Sequence, residues 1–306
     1  PLFHQAGRVL GMVAMACGGT QGAVPNPRDL DFLIAAIKKH KPRGIVNVPT
    51  IYLELLKKPK FRTLDFSGVE WFISGAAPFP PEYIKEFEEV VGEGKLVEVL
   101  GMTETSPVHM GLPRYGMKKP GSVGIPFPDT EVKLIDPDSG EIVPVEEPGE
   151  LVVKGPQVFT EGYHNKPEET ATTLRDGWIF TGDVCKMDAD GYFYVVDRVK
   201  DMVIVSGYKV FTRTVDDVLM EHPDIDMAAA IGLPDPARPG SEIVATAIVL
   251  KPDVEKSEDT REKIIQYMQA KVAPYKVPKK IEFMDELPLS AVGKVLKREL
   301  RELMKS

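Results

Sequence analysis

Three short apolar runs in the first third of the chain, separated by amphipathic stretches, restrict the fold more than any other feature. They are Gly44-Ile45-Val46-Asn47-Val48, Val69-Glu70-Trp71-Phe72-Ile73-Ser74 and Leu96-Val97-Glu98-Val99-Leu100. Asp29 can cap a helix running to about His40, with Leu30, Leu33, Ile34 and Ile37 on one face. A second helix is expected from Thr50 to about Lys57. A third is expected from Glu82 to Val91, opened by Pro80-Pro81 as proline opens a first turn. Helices alternating with buried strands imply a largely parallel sheet, so this part reads as a doubly wound α/β layer, or part of one.

Beyond Gly121 the texture changes. Short alternating strands are expected at Glu131–Ile135, Gly149–Val153 and Gly191–Val196, parted by turns at 136–140 and 188–191. They suggest a small antiparallel sheet or a barrel-like subdomain. Both turns resemble calcium loops faintly, but neither has the full run of ligands, and hairpin turns are the better reading. After Arg198-Val199-Lys200-Asp201 a third texture begins. A strand pair over Met202–Val210, a helix over Val215–Glu221, strands at Met227–Ile231 and Ile243–Leu250, and a helix over Glu258–Val272 read as an α+β domain ending in a polar helix. The expected division is 1–120, 121–197, a linker at 198–201, and 202–306.

A formal charge of -8 argues against a general binder of nucleic acid or anionic membrane. The longest apolar stretch, Val9 to Cys17, is far below the roughly 20 residues a membrane helix needs. Cys17 and Cys185 form no disulfide framework, so a reduced, cytoplasmic setting is expected. Pro1-Leu2-Phe3-His4 offers no initiator methionine and no helix or strand lead-in, as expected of a fragment or a processed chain.

Strand ends in open α/β sheets are where ligands bind. Leu100 leads directly into Gly101-Met102-Thr103-Glu104-Thr105-Ser106-Pro107. Thr103 can hydrogen-bond a phosphate oxygen, and Glu104 can hold a magnesium ion that bridges phosphates. The second run ends in the small-residue turn Gly75-Ala76-Ala77-Pro78. Asp183 closes the aromatic stretch Trp178-Ile179-Phe180-Thr181-Gly182-Asp183, where one carboxylate can accept from both hydroxyls of a ribose or can cap a turn. Arg198 reads equally as part of a charged linker. Lys294 sits on a glycine turn before the last helix, and His4 follows two apolar residues.

In order, the strings PLFHQAG, GMTETSP, GELVVKGP, GWIFTGD, DRVKDMVIVSGYKV and PLSAVGK resemble the adenylate-forming superfamily of acyl-CoA synthetases, luciferases and peptide-synthetase adenylation domains. The resemblance covers essentially the whole chain. It implies ATP or AMP, Mg2+ and CoA as ligands, and a carboxylic acid as substrate. Thr103, with Gly101 and Met102, would meet phosphate, and Glu104 would ligate magnesium. Gly75, Ala76 and Ala77 would line the adenine and acyl pocket, and Asp183 and Arg198 would hold the ribose. Lys294 would reach the substrate carboxylate and the α-phosphate, and Lys200 would be the pivot of a mobile C-terminal domain. Gly207 and Tyr208 would line the thiol's path, and His4 would gate the acyl pocket.

The sequence also departs from the family. A phosphate-cradling loop that the family carries upstream of the His4 segment has no match here, so a missing N-terminal part is expected. Leu100 replaces the usual aromatic before the GMTE string. Thr212 and Thr214 stand where the family has proline and glutamate. With no acidic residue for a zwitterionic amino acid and no basic cluster for a dicarboxylate near Gly75–Phe79, a medium or long fatty acid is the first expectation and an aryl acid the second. CoA is the expected thiol, with Tyr275-Lys276-Val277-Pro278-Lys279-Lys280 as candidate phosphate contacts. A luciferase-like oxygenase, a non-catalytic adenylate-binding fragment and a homodimer are left open.

Overall fold

The computed structural model describes residues 4–290 and 295–305. These fall into two compact units: residues up to Thr181 with Cys185–Val195, and Gly182–Val184 with the chain from Val196 onward.

The first unit opens on helix α1 (Gln5–Ala16), where the sequence alone offered no lead-in. His4 supplies the missing start: its Nδ1 accepts the Ala6 N–H at 3.3 Å, an N-cap made without the usual Ser, Thr, Asp or Asn. Helix α2 (Leu30–His40) is capped by Asp29, whose carboxylate accepts the Phe32 N–H at 3.0 Å. It buries Leu33, Ile34 and Ile37, and ends on Lys38, Lys39 and His40, which complement the negative end of its dipole.

Then follow β1 (Gly44–Asn47), α3 (Pro49–Leu56), α4 (Pro59–Arg62), β2 (Trp71–Ser74), α5 (Pro81–Val91) and β3 (Leu96–Leu100). Strands β1, β2 and β3 pair in parallel, as the alternation of helix and strand requires. The short strands β4 (Met110–Gly111) and β5 (Ile125–Pro126) extend the same sheet antiparallel. The helices pack an aromatic core of Tyr52, Phe61, Phe66, Phe72, Phe79 and Phe87 on the sheet. Phe72 and Phe87 meet edge to face at 5.4 Å. The Tyr52 hydroxyl lies 3.0 Å from the Ile45 carbonyl and 2.9 Å from that of Ile73, which ties α3 to β1 and β2.

The next segment contains β6 (Glu131–Ile135), β7 (Gly149–Lys154), α6 (Pro167–Thr173), β8 (Leu174–Arg175), β9 (Trp178–Met187) and β10 (Phe193–Arg198). The sheet order is β10-β9-β7-β6, with β8 beside β9. It is an open sheet and does not close into a barrel. The turn at 188–191 is a hairpin turn whose cation is a side chain. Lys119 Nζ lies 2.6 Å from a carboxylate oxygen of both Asp188 and Asp190. Asp188 also accepts the N–H groups of Asp190 and Tyr192 at 3.0 Å.

The second unit carries the hairpin β11 (Val203–Val205) and β12 (Tyr208–Val210), α7 (Thr212–Met220), β13 (Ile225–Pro234), β14 (Glu242–Leu250), α8 (Glu258–Lys271), β15 (Lys280–Phe283) and α9 (Lys297–Met304). Helix α7 begins at Thr212, earlier than the Val215 expected from apolar periodicity. The hairpin turns at Ser206 and Gly207, both with positive φ (49° and 87°), as a two-residue connection of this twist demands. Strand β13 pairs antiparallel with β14, and β14 pairs parallel with β15. One face of this sheet packs Val215, Leu219, Ile264 and Met268 from α7 and α8, and the other packs Leu300 and Met304 from α9. Among the described residues no helix is long and apolar enough to cross a membrane.

The Lys119 bridge holds Asp188 at about 2, against an ordinary 3.8, chiefly through its hydrogen bond to the carboxylate. A depressed carboxylate contributes stability that is present above its ordinary value and is lost as pH falls through the lowered one. Lys119→Met should therefore move the Asp188 titration up towards 3.8 and shift the acid-unfolding midpoint upward. Carboxyl NMR and a circular-dichroism acid titration read both; an unmoved Asp188 would rule out the bridge.

Candidate functional site

Two turns leave the carboxyl ends of neighbouring parallel strands in the first unit. Strand β2 ends at Ser74, opposite Glu98 of β3. At Gly75 a Cβ would stand 3.0 Å from Val99 Cγ2 and 3.3 Å from the Val99 carbonyl oxygen, so a small residue is needed there. Ala76 follows with φ 70°, a left-handed conformation costing an L-residue about 1–3 kcal/mol. The turn is anchored beyond Ala77, where the Phe79 N–H donates to the Glu98 carboxylate at 2.9 Å.

Strand β3 ends in the second turn. A Cβ on Gly101 would lie 1.9 Å from the Pro107 carbonyl oxygen, so only glycine lets the chain fold back this closely. Residues Thr103–Thr105 form one turn of 3-10 helix. Thr105 is buried and braces it: its hydroxyl accepts the Met102 N–H at 3.2 Å and donates to the Met102 carbonyl at 3.1 Å. His109 Nδ1 stands 3.0 Å from the same oxygen. Which of the two donates follows the tautomer of the ring. The other ring nitrogen, Nε2, is buried with no partner among the described residues. Thr103 is left exposed and Glu104 half-buried at the rim of the turn.

Glu104 is held by a loop that sequence reasoning missed. Its backbone carbonyl accepts the Phe159 N–H at 2.9 Å, and its Oε1 accepts the Tyr163 hydroxyl at 2.5 Å. The Phe159 and Tyr163 rings meet at 5.2 Å, and the Tyr163 N–H donates to Thr170 Oγ1 on α6 at 2.9 Å. Burial, and then the bond to Glu104, push the Tyr163 phenol above its ordinary value, so it remains a donor. One carboxylate beside a threonine hydroxyl suits magnesium, which keeps waters and arrives on phosphates. No group of three acidic, histidine or cysteine side chains that could cage a metal occurs among the described residues.

In the second unit Asp183 and Arg198 come together, with Arg198 Nε 2.8 Å from Asp183 Oδ1. The Asp183 side chain is 15% exposed and that of Arg198 46%, so the pair reaches the surface. Lys200 is exposed within the 3-10 turn Val199–Asp201. A polar network secures this linker. Buried Asp197 accepts the Thr212 hydroxyl at 3.0 Å, Lys297 Nζ donates to that same hydroxyl oxygen at 2.9 Å, and Lys297 also pairs with Asp216 at 2.9 Å. Arg301 pairs with Asp201 at 2.8 Å. Burial raises Asp216 to about 6 despite Lys297. Thr212, one of the departures from the family pattern, is thus the junction of this network.

Gly207 occupies the tip of the β11–β12 hairpin, and Tyr208 stacks on Tyr275 with centroids 4.7 Å apart. Lys280 corrects the expected phosphate patch: its Nζ donates to the Met304 carbonyl at 2.6 Å, closing the end of α9. Lys279 stays exposed, 3.8 Å from Asp235. His4 is exposed and engaged as the α1 cap. Lys294 lies outside the described residues.

The comparisons with known proteins show the family. The family model for AMP-binding enzymes matches residues 1–164, and that for the AMP-binding enzyme C-terminal domain matches residues 214–294. The chain belongs to the AMP-binding enzyme family, as the ordered motifs implied. It is 43% identical over 303 residues to a long-chain-fatty-acid–CoA ligase of Bacillus subtilis (strain 168), covering 99% of this chain and 53% of that protein. It is 38% identical over 306 residues to a feruloyl-CoA synthase of Amycolatopsis sp, covering 98% of this chain and 60% of that one. The crystal structure of ATP-bound MatB from Rhodopseudomonas palustris matches with a TM-score of 0.91 at 31% identity, over 100% of this chain and 59% of that one. The chain therefore spans about half the length of the fatty-acid relative.

Burial alone lowers His109 to about 4 from 6.5. Between these values the unfolded chain binds a proton that the folded one refuses. Stability is complete above pH 6.5 and falls by about 3 kcal/mol as pH drops to 4. His109→Gln should flatten this dependence in urea unfolding; an unchanged slope would place the acid sensitivity elsewhere.

Proposed function

We propose that the protein carrying this chain is an ATP-dependent acid–thiol ligase. It joins a fatty acid to AMP with release of pyrophosphate, then passes the acyl group to CoA. The observation that carries this reading is the paired turn at the ends of β2 and β3. Gly75, Ala76 and Ala77 carry small side chains that would admit a flat base and an acyl chain, and Thr103 and Glu104 stand at the end of the neighbouring strand.

The reaction brings a carboxylate up to an α-phosphate, two anions, so catalysis must supply positive charge and alignment. Lys294 would sit between the acid and the phosphate. Thr103 would donate to a phosphate oxygen, and Glu104 would hold magnesium, which when bound neutralises phosphate charge. Asp183 would accept both ribose hydroxyls, oriented by Arg198. Leu100 offers the base an apolar side chain where the family has an aromatic one. Displacement by a thiol occurs at the same carbon that Lys294 served, so the C-terminal domain would rotate about Lys200 and present Gly207 and Tyr208 to the thiol. Lys276 and Lys279 remain candidates for CoA phosphates.

The fatty-acid ligase among the relatives supports a fatty acid as substrate. The feruloyl-CoA synthase, at comparable identity, supports an aryl acid as the second reading. Carboxylate-dependent ATP–pyrophosphate exchange across both acid series tests the adenylation step, and thiol-dependent loss of adenylate separates a ligase from an oxygenase. Lys294→Ala and Glu104→Gln should each lower exchange by about 100-fold or more. Exchange that survives both changes would refute these roles, and no exchange with any acid would favour a non-catalytic adenylate-binding chain.

A further inference from the structure

We propose that Tyr163 is a positioning residue that presents Glu104 to its cation through a single carboxylate oxygen, and so sets which cation the site accepts. The inference rests on the proposed function and adds to it the selectivity of the metal position.

One loop grips Glu104 at two points, the backbone carbonyl by the Phe159 N–H at 2.9 Å and Oε1 by the Tyr163 hydroxyl at 2.5 Å. The Tyr163 ring is fixed by its contact with Phe159, and its backbone is fixed by the N–H bond to Thr170 Oγ1. Thr170 is tied in turn to the Lys166 carbonyl at 2.7 Å. Glu104 therefore has little freedom to turn its carboxylate edge-on. A short bond from a phenol draws on the lone pairs of Oε1, and this leaves Oε2 as the better donor to a cation. Magnesium wants one oxygen per carboxylate, at short distance, in an octahedral shell. Calcium is larger and accepts both oxygens of one carboxylate. A carboxylate pinned on one oxygen discriminates for magnesium and against calcium. Without the phenol the carboxylate would turn freely and the preference would shrink.

Tyr163→Phe removes the hydroxyl and keeps the ring on Phe159, so the fold is retained. The measurement is Mn2+ binding in the presence of ATP, followed by electron paramagnetic resonance, with Mg2+ and Ca2+ as competitors. Wild type, Tyr163→Phe, Glu104→Gln and the double variant are compared. Tyr163→Phe should weaken Mg2+ by about 10-fold to 100-fold, the usual effect of losing a partner behind a metal ligand, and weaken Ca2+ less. In the Glu104→Gln background it should add nothing. Unchanged Mg2+ affinity and an unchanged Mg2+ to Ca2+ ratio would overturn the proposal, as would an equal further loss in the Glu104→Gln background. A wild type that binds no cation with ATP would overturn the proposed function, and this inference with it.

Discussion

The candidate site depends on one close approach of backbone to backbone. Gly101 folds back so near the Pro107 carbonyl that no side chain fits, and this turn directs Thr103 and Glu104 outward at the end of β3. Parallel pairing of β2 and β3 then sets the Gly75 turn against Val99 of the neighbouring strand. The remaining interactions of the first unit hold this arrangement still. Thr105 and His109 brace the turn from below, and the loop through Phe159 and Tyr163 holds Glu104 from the side. Donors and acceptors fixed before a ligand arrives need no reorganisation when charge develops, which is the economy that phosphoryl and adenylyl transfer require.

The second unit applies the same logic to a different task. A linker proposed to pivot would need to be held at its ends and free in the middle. Asp197 and Asp201 are held, the first through Thr212 and Lys297, the second through Arg301, while Lys200 between them is exposed. The two basic residues stand four apart on α9, one turn from each other, which lets one short helix fasten both ends of the linker. Thr212 contributes a hydroxyl here that proline could not, so one departure from the family pattern gains a physical role. The Thr214 hydroxyl bonds back to the Phe211 carbonyl at 2.8 Å, as a local cap within the first turn of α7.

What could be read from the sequence follows the range of the interactions involved. Strand β3 was legible to the residue, because an apolar run bounded by Lys95 and Gly101 is a local signal. Helix α2 was legible because Asp29 announces its start. Helix α1 was not, because its cap is a histidine, a residue type with no strong preference for that position. Whether the strands from β6 to β10 close into a barrel depends on pairing between distant edges, which no local pattern encodes. The ordered motifs made the family legible across the chain, yet they did not point to Tyr163, whose partner lies 59 residues away. Lys119 and Asp188 are separated by 69 residues, and a pair of lysines before a proline gives no hint of a half-buried bridge. Lys280 misled, since a basic pair in a loop reads as a candidate phosphate contact until one member is found closing a helix end.

The turn after β3 is set by its own braces before any nucleotide is present, and backbone hydrogen exchange of the ligand-free protein is the test. Met102, Thr105, Ser106 and Phe159 all donate their N–H groups within the protein. Exchange at these four amides should be slow without nucleotide, with little further protection when ATP and magnesium are added. Exchange as fast as that of an open loop, slowing only once nucleotide is bound, would mean instead that the ligand builds the turn.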